Sequence, residues 1–258
     1  MNLRHYGTEP FSVAVIHGGP GAPGDIAPVA RELSSACGIL EPLQTATSLD
    51  GQILELQSVL EESGDLPATL IGHSWGAWLS YLEAAYNPSL VSKVILVSSG
   101  PFEAHYAANL MDKRLARLGD EERAEVQRLM AALSNGTATS SELARFGEIL
   151  SRADSYDPLP IENEPVECDS KGYQGVWSDA AELRRSGKLL ELGQLIRCPV
   201  LAIHGDYDPH PYEGVRDPLS RVLRDFRFVL LEKCGHTPWA ERHARERFFD
   251  LLREEIAR

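Results

Sequence analysis

The feature that most constrains this chain is the pentapeptide Gly72-His73-Ser74-Trp75-Gly76, which lies directly between an apolar strand pattern and a helix pattern. A glycine on each side of the serine permits a turn that is too tight for a Cβ at either position. Such a turn lifts the serine side chain out at the carboxyl edge of a parallel sheet, where open α/β folds bind their ligands. The pattern therefore predicts an exposed, reactive Ser74; a serine that merely caps a helix is the alternative.

The rest of the chain favours a sheet of that kind. Short runs rich in Val and Ile alternate with amphipathic stretches, which is typical of a mostly parallel sheet flanked by helices. Strands are predicted over residues 12–17, 38–42, 68–72, 93–98, 199–204 and 226–231, and helices over 26–36, 49–63, 75–86, 217–225 and 238–256. The region 100–196 contains no convincing strand pattern. Its clear patterns are helical and cover residues 120–133 and 141–152. We therefore predict an α/β core (1–99 and 197–258) with a helical cap insertion (100–196).

Composition excludes several classes of protein. In 258 residues, 43% are hydrophobic and 24% charged, which suits a globular domain with a sizeable core. The formal net charge of −13 would repel a nucleic acid. The four cysteines form no C-x-x-C pair, so neither a metal site nor a disulfide framework is expected. Without an apolar leader or a long apolar run, we expect a soluble, cytoplasmic protein with no membrane partner.

A reactive serine requires a general base and a carboxylate that orients the base. His236, in the Gly235-His236-Thr237 segment after the last predicted strand, is the candidate base. The candidate carboxylates are Asp206 and Asp208, which follow the strand 199–204. They lie two positions apart, so spacing alone does not choose between them, and the other acid would bind turn amides.

The glycine-rich segment 17–21, His-Gly-Gly-Pro-Gly, ends the first predicted strand. Its backbone can pass close to a substrate, so we expect the Gly19 amide to form an oxyanion hole with the Trp75 amide. Gly18 is the near alternative to Gly19. A phosphate-binding loop is disfavoured because no Lys-Ser/Thr follows and the G-x-G-x-x-G pattern is absent.

These motifs and their order resemble the α/β-hydrolase fold over essentially the whole chain. The resemblance implies that the acid is Asp208, three residues after Gly205. Hydrolysis by a serine, a histidine and a carboxylate needs no metal or organic cofactor, so none is expected. The segment 17–21 together with 72–76 is more narrowly similar to the proline iminopeptidase branch, whose members remove N-terminal residues from short peptides and hold the amine with cap carboxylates. The chain departs from that branch at Ala22-Pro23-Gly24 and at Pro209-His210-Pro211.

The sequence thus predicts a serine hydrolase acting on a small molecule or short peptide. If it is an aminopeptidase, Glu162, Glu164 and Glu167 are the candidate amine ligands; otherwise the segment 154–169 is a solvated linker. Trp177, with Tyr173 and Phe102, could line an acyl pocket or pack the cap onto the core. The alternatives are a carboxylesterase or lactonase and, more remotely, a non-catalytic binding module. The oligomeric state is not predicted.

Overall fold

The computed structural model describes residues 2–20, 23–160 and 170–258, apart from the side chain of Lys171. These residues contain a seven-stranded sheet of order β1-β3-β2-β4-β5-β6-β7. β1 is antiparallel to β3, and the other neighbouring pairs of this sheet are parallel. The mostly parallel sheet expected from the sequence is therefore confirmed. The strands are β1 (Leu3–Tyr6), β2 (Val13–Ile16), β3 (Ile39–Pro42), β4 (Ala68–His73), β5 (Val91–Val97), β6 (Val200–Gly205) and β7 (Phe226–Leu231).

Helices connect these strands and cover both faces of the sheet. Local signals fix several of their ends; for example, the Ser48 hydroxyl caps α2 by accepting a hydrogen bond from the Gly51 amide at 3.2 Å. The helices are α1 (Ala27–Leu33), α2 (Leu49–Ser63), α3 (Trp75–Tyr86), α4 (Leu110–Ala116), α5 (Asp120–Ser134), α6 (Ser140–Ala153), α7 (Ser170–Arg185), α8 (Lys188–Glu191), α9 (Glu213–Val222) and α10 (Arg245–Ile256).

The core consists of two apolar layers, one on each face of the sheet. Side chains alternate between the faces along each strand, so Ala14 and Ile16 of β2 join the layer that includes α2 and α3. Val13 and Val15 join the opposite layer, which packs against α1 and α10. Burial on both faces explains why these strands have continuous apolar sequences. Because β2, β4 and β6 run parallel, their carboxyl ends lie at one edge of the sheet.

Helices α4 to α8 lie between β5 and β6, and the described residues of this stretch contribute no strand to the sheet. A small apolar cluster, which includes Val126, Leu129 and Ile149, joins α5 to α6. A capping box between Thr139 and Glu142 starts α6. The helical character of the insertion agrees with the sequence, although its division from the core as a cap domain stays a prediction.

Two differences from the predicted elements have clear physical causes. The short edge strand β1 was not predicted because it has no apolar alternation; instead, Tyr6 donates a 2.7 Å hydrogen bond to the buried Glu41. Helix α9 begins before Pro218, not next to it. Proline has no N–H to donate to the Gly214 carbonyl, and the Phe102 amide donates to that carbonyl instead, at 2.9 Å.

The last helix also begins later than predicted. Pro238–Ala240 forms a 3₁₀ turn, and α10 starts only at Arg245. The intervening residues bind the chain after α6: the Arg242 amide donates to the Asp157 carbonyl at 3.1 Å. No helix of the described residues is long and apolar enough to span a membrane.

Candidate active site

Ser74 occupies the sharp turn between β4 and α3. Its φ of 51° lies in the left-handed region, which a non-glycine residue adopts only where the surroundings impose it. A Cβ added at Gly72 would come within 3.0 Å of the Gly76 carbonyl, and one added at Gly76 would come within 3.0 Å of the Ile16 carbonyl. Both glycines are therefore required by close backbone approach, as the sequence predicted. Ser74 itself is partly exposed.

The glycine-rich loop after β2 lies beside this turn. The Gly18 amide donates to the Asp25 carboxylate at 3.0 Å, so it is not available to a substrate. The Gly19 amide and the Trp75 amide donate no hydrogen bond within the described part of the chain. The buried His17 side chain accepts from the Gln44 amide and donates to the Gly18 carbonyl at 2.7 Å. It thereby orients the peptide unit that carries the Gly19 N–H.

Asp208 and His236 form a close, largely buried pair. His236 Nδ1 lies 2.7 Å from Asp208 Oδ2, and the Asp208 carboxylate is inaccessible to solvent. Burial by itself would raise the pKa of Asp208, but His236 and the neighbouring histidines hold that pKa well below its usual range. Burial would likewise lower the pKa of His236, but the carboxylate raises it above the ordinary value. The ionised Asp208 therefore fixes the His236 proton on Nδ1.

A second imidazole shares the same carboxylate. His210 Nδ1 lies 2.8 Å from Asp208 Oδ1, which also accepts from the His210 amide at 2.9 Å. The His210 and His236 rings stack with centroids 4.7 Å apart. Burial lowers the pKa of His210 to about 4, so its ring is neutral at physiological pH. Sequence reasoning noted the Pro209-His210-Pro211 segment but assigned His210 no role.

Asp206, the other candidate acid, has a different environment. It is exposed, and its Oδ1 accepts a hydrogen bond from the Cys234 amide at 3.1 Å. This is the turn-binding role expected of the acid that does not contact the histidine. Geometry thus places Asp208, and not Asp206, against His236.

His73 links the three loops of the site. Its Nδ1 lies 3.1 Å from Asp25 Oδ2, and its Nε2 lies 3.0 Å from the His236 carbonyl oxygen. The ring centroids of His73 and His236 are 4.9 Å apart. Because His73 immediately precedes Ser74, these contacts bring the His236 loop next to the serine. Within the described residues, no hydrogen bond joins the Ser74 hydroxyl to His236; such bonds commonly form only when a substrate binds.

The segment after α6 also contacts the His236 loop, which corrects part of the solvated-linker prediction. Asp154 is 3% exposed, its carbonyl accepts from the His236 amide at 2.9 Å, and its carboxylate binds the Arg114 guanidinium through two nitrogens. The fully buried Glu241 accepts from the amides of Gly235 and Tyr156 at 2.9 and 2.8 Å. The contacts of Asp154 with His236 and of Tyr156 with Glu241 were missed because they join residues more than 80 positions apart.

The predicted substrate residues have mixed outcomes. Glu162, Glu164 and Glu167 lie outside the described residues. Trp177 is 37% exposed, and its ring stacks with Trp78 at 6.0 Å and with Tyr173 at 6.4 Å between centroids. Phe102 is fully buried against Trp78 and Tyr81, so it is a core residue.

Comparisons with known proteins agree with this architecture. A proline iminopeptidase from Mycobacterium smegmatis is 18% identical, with a TM-score of 0.61 over 99% of this chain and 93% of that one. A thermophilic esterase from Thermogutta terrifontis is 17% identical, with a TM-score of 0.64 over 99% and 92%. A monoacylglycerol lipase from Paleococcus ferrophilus is 18% identical, with a TM-score of 0.61 over 98% and 97%.

At such identities these likenesses concern the fold. No curated protein matches the sequence itself. The model of the "Alpha/beta hydrolase family" matches residues 3–251, which is almost the entire chain. With this match and the sheet topology, the resemblance read from the motifs is confirmed: the chain belongs to the alpha/beta hydrolase family.

Proposed function

We propose that this hydrolase is a serine hydrolase that works through an acyl-enzyme, with Ser74, His236 and Asp208 as its triad. The observation that carries the proposal is the buried Asp208–His236 pair, 2.7 Å long, held beside a serine with a φ of 51°. A histidine fixed by a carboxylate next to an exposed serine is the arrangement that activates a hydroxyl at neutral pH. A binding module without chemistry would not require either feature.

In the proposed reaction, the Ser74 oxygen attacks a carbonyl carbon while His236 Nε2 accepts the hydroxyl proton. Asp208 keeps the other proton on Nδ1 and stabilises the imidazolium. The amides of Gly19 and Trp75 stabilise the oxyanion, at ~3 kcal/mol for each donor. His236 then protonates the leaving group, and a water molecule repeats the sequence on the acyl-enzyme. Apart from that water molecule, these steps use only side chains and amides of this chain.

Among the residues that the structure describes, the charges near His236 favour an ester substrate over a free amine. An ammonium group in a partly desolvated site requires an unpaired carboxylate. Asp154 contacts this loop only through its backbone carbonyl, and its carboxylate already binds Arg114 through two nitrogens. The partly exposed Trp177 instead offers an apolar surface for an acyl or alcohol group. We therefore propose a carboxylesterase acting on small esters.

An aminopeptidase is the alternative, supported by the motif resemblance and by the iminopeptidase among similar structures. It requires one of Glu162, Glu164 or Glu167 to bind the amine. Replacing each by Gln, one at a time, should weaken turnover of a free-amine substrate at one position or more. A neutral ester of similar size should be unaffected by the same change.

A two-part substrate panel tests the proposal. Wild-type protein is assayed on nitrophenyl esters of two to eight carbons and on aminoacyl-naphthylamides, with Ser74→Ala as the matched control. We expect turnover of the short esters that the control lacks, and little turnover of the naphthylamides. Preferred turnover of naphthylamides would replace the esterase by the aminopeptidase. Equal activity in wild type and control would contradict both.

A further inference from the structure

Arg184 is a charged side chain that the proposed hydrolysis does not use. The inserted region 100–196 contains eight arginines, and seven of them donate hydrogen bonds to carboxylates or backbone carbonyls. Arg184 donates none within the described part of the chain, although its Nε is inaccessible to solvent. Two acids close to it on α7 are already engaged, because Asp179 accepts from a backbone amide and Glu182 pairs with Arg185.

A partly buried guanidinium without an anion is costly. Burial lowers the pKa of Arg184, since no carboxylate of the described residues offsets the lost hydration. The guanidinium carbon lies 5.4 Å from the centre of the Trp78 ring, a contact that stabilises a cation but occupies none of its five N–H donors. Unlike Nε, the two terminal nitrogens of Arg184 are not enclosed. They are therefore open to a ligand.

The position of Arg184 connects it to the candidate active site. Arg184 and Trp177 lie on the same face of α7, because seven residues make about two turns of a helix. The Trp78 ring contacts both side chains and stacks with Trp177 at 6.0 Å. Trp78 follows Ser74 by one turn of α3, and its Nε1 donates to the Gly100 carbonyl at 3.0 Å, beyond the carboxyl end of β5. One aromatic side chain thus bridges Arg184 and the helix that starts at Ser74.

The two ends of α7 face different parts of the site. Burial raises the pKa of Tyr173, near the start of α7, and the nearby Arg114 cation opposes that rise. Arg114 also binds Asp154, whose carbonyl accepts from the His236 amide. Arg184 is eleven residues further along α7 than Tyr173, which is about 16 Å of helix. Since His236 protonates the leaving group in the proposed reaction, the part of the substrate that reaches Arg184 is the acyl chain.

We propose that Arg184 binds a carboxylate at the end of the substrate's acyl chain, so that the preferred esters are monoesters of dicarboxylic acids. A planar guanidinium matches a carboxylate through two parallel hydrogen bonds. Trp177, which is 37% exposed, provides an apolar surface for the methylene groups between the ester and the carboxylate. This subsite names the substrate class of the proposed esterase and therefore rests on that function.

Esters with and without the carboxylate test the subsite. Mono-nitrophenyl esters of dicarboxylic acids with six, seven and eight carbons are compared with nitrophenyl esters of the monocarboxylic acids of the same length. Shorter diacids are avoided because their own carboxylate attacks the ester. In wild type we expect a higher kcat/KM for the charged ester at one length or more. In Arg184→Met, which keeps an apolar stem against Trp78, the ratio of charged to neutral kcat/KM should fall about 10–100-fold, mainly through KM.

Arg185→Met is the matched control, because Arg185 is the neighbouring arginine, is exposed and already pairs with Glu182. Its ratio of charged to neutral kcat/KM should change less than about 2-fold. A wild type that prefers the neutral ester at every length would overturn the inference, even if Arg184→Met does not fold. Equal ratios in the two folded variants would overturn it as well.

Calorimetry separates this inference from the proposed function. Suberate, an eight-carbon dicarboxylate, is titrated into wild type, Arg184→Met and Arg185→Met. We expect binding to wild type and Arg185→Met, and affinity at least about 10-fold weaker in Arg184→Met. That result in a protein that hydrolyses no ester would overturn the proposed function alone. Unchanged suberate binding in Arg184→Met, beside ester hydrolysis that requires Ser74, would overturn the subsite alone.

Discussion

Replacing Asp208 by Asn tests whether Asp208 sets the tautomer of His236, because the surrounding hydrogen bonds dictate how the asparagine amide would be oriented. Asp208 Oδ1 accepts from the His210 backbone amide at 2.9 Å, and that N–H cannot change tautomer. The introduced asparagine should therefore direct its carbonyl oxygen to this position. Its NH₂ group would then face His236 Nδ1, which must become an acceptor. The proton moves to Nε2, and His236 can no longer accept one from Ser74.

The size of the effect follows from the same contacts. In the opposite orientation, the NH₂ group of the asparagine would face the His210 amide, leaving buried donors unpaired at a cost of ~1–3 kcal/mol. The productive tautomer is therefore a minor state, and the neutral amide also fails to stabilise the imidazolium. We expect kcat to fall by ~10⁴, as in other triads with this change, which is about 5 kcal/mol in the barrier.

Asp206→Asn is the matched control. Asp206 is exposed, and an asparagine oxygen can still accept from the Cys234 amide, so we expect less than about a 3-fold change. Both variants are assayed for ester hydrolysis, with circular dichroism to verify folding. A folded Asp208→Asn that keeps more than a tenth of wild-type kcat would refute the argument, and so would a larger loss in Asp206→Asn.

Three further predictions concern the same region. Ser74→Ala should remove all but about 10⁻⁴ of kcat or less while the melting temperature stays within a few degrees, measured by stopped assay and calorimetry. Asp208 raises the pKa of His236, and the reaction needs neutral His236. A pH profile of kcat/KM should therefore show activity lost as the pH is lowered, with a midpoint above ~6.5. A midpoint below pH 6 would contradict the pairing of Asp208 with His236. Arg114→Met should destabilise the protein by ~3–5 kcal/mol in urea unfolding because it leaves the Asp154 carboxylate buried and unpaired. Arg152→Met, at a nearly half-exposed ion pair, should change stability little, and equal effects would refute the distinction.

The fold could be predicted largely because its signals are local. The strand-turn-helix around Ser74 is encoded within 20 residues, and α2 and α3 begin and end where the patterns place them. The edge strand β1 escaped prediction because an edge needs no apolar alternation. The start of α9 escaped prediction for a different reason. Pro218 has no N–H for the Gly214 carbonyl, and the amide that donates there instead belongs to Phe102, over 100 residues away in sequence.

The candidate site shows the same limit. Ser74, Asp208 and His236 follow strands whose carboxyl ends share one edge, so sequence order indicated their proximity. The roles of His73, His210 and Asp154 depend on where their side chains and carbonyls point, which no spacing encodes. Of these, His210 left a visible signal, since a histidine two residues after the candidate acid is within reach of it.

The reactivity of Ser74 is the centre of this account, and a phosphonate probe measures it most directly. The protein is treated with a fluorophosphonate, the adduct is counted by intact mass and located by peptide mapping, and the labelling rate is compared in Asp208→Asn. We expect one adduct per chain, on Ser74, formed much more slowly in the variant. An unlabelled protein, or an adduct on another residue, would contradict it.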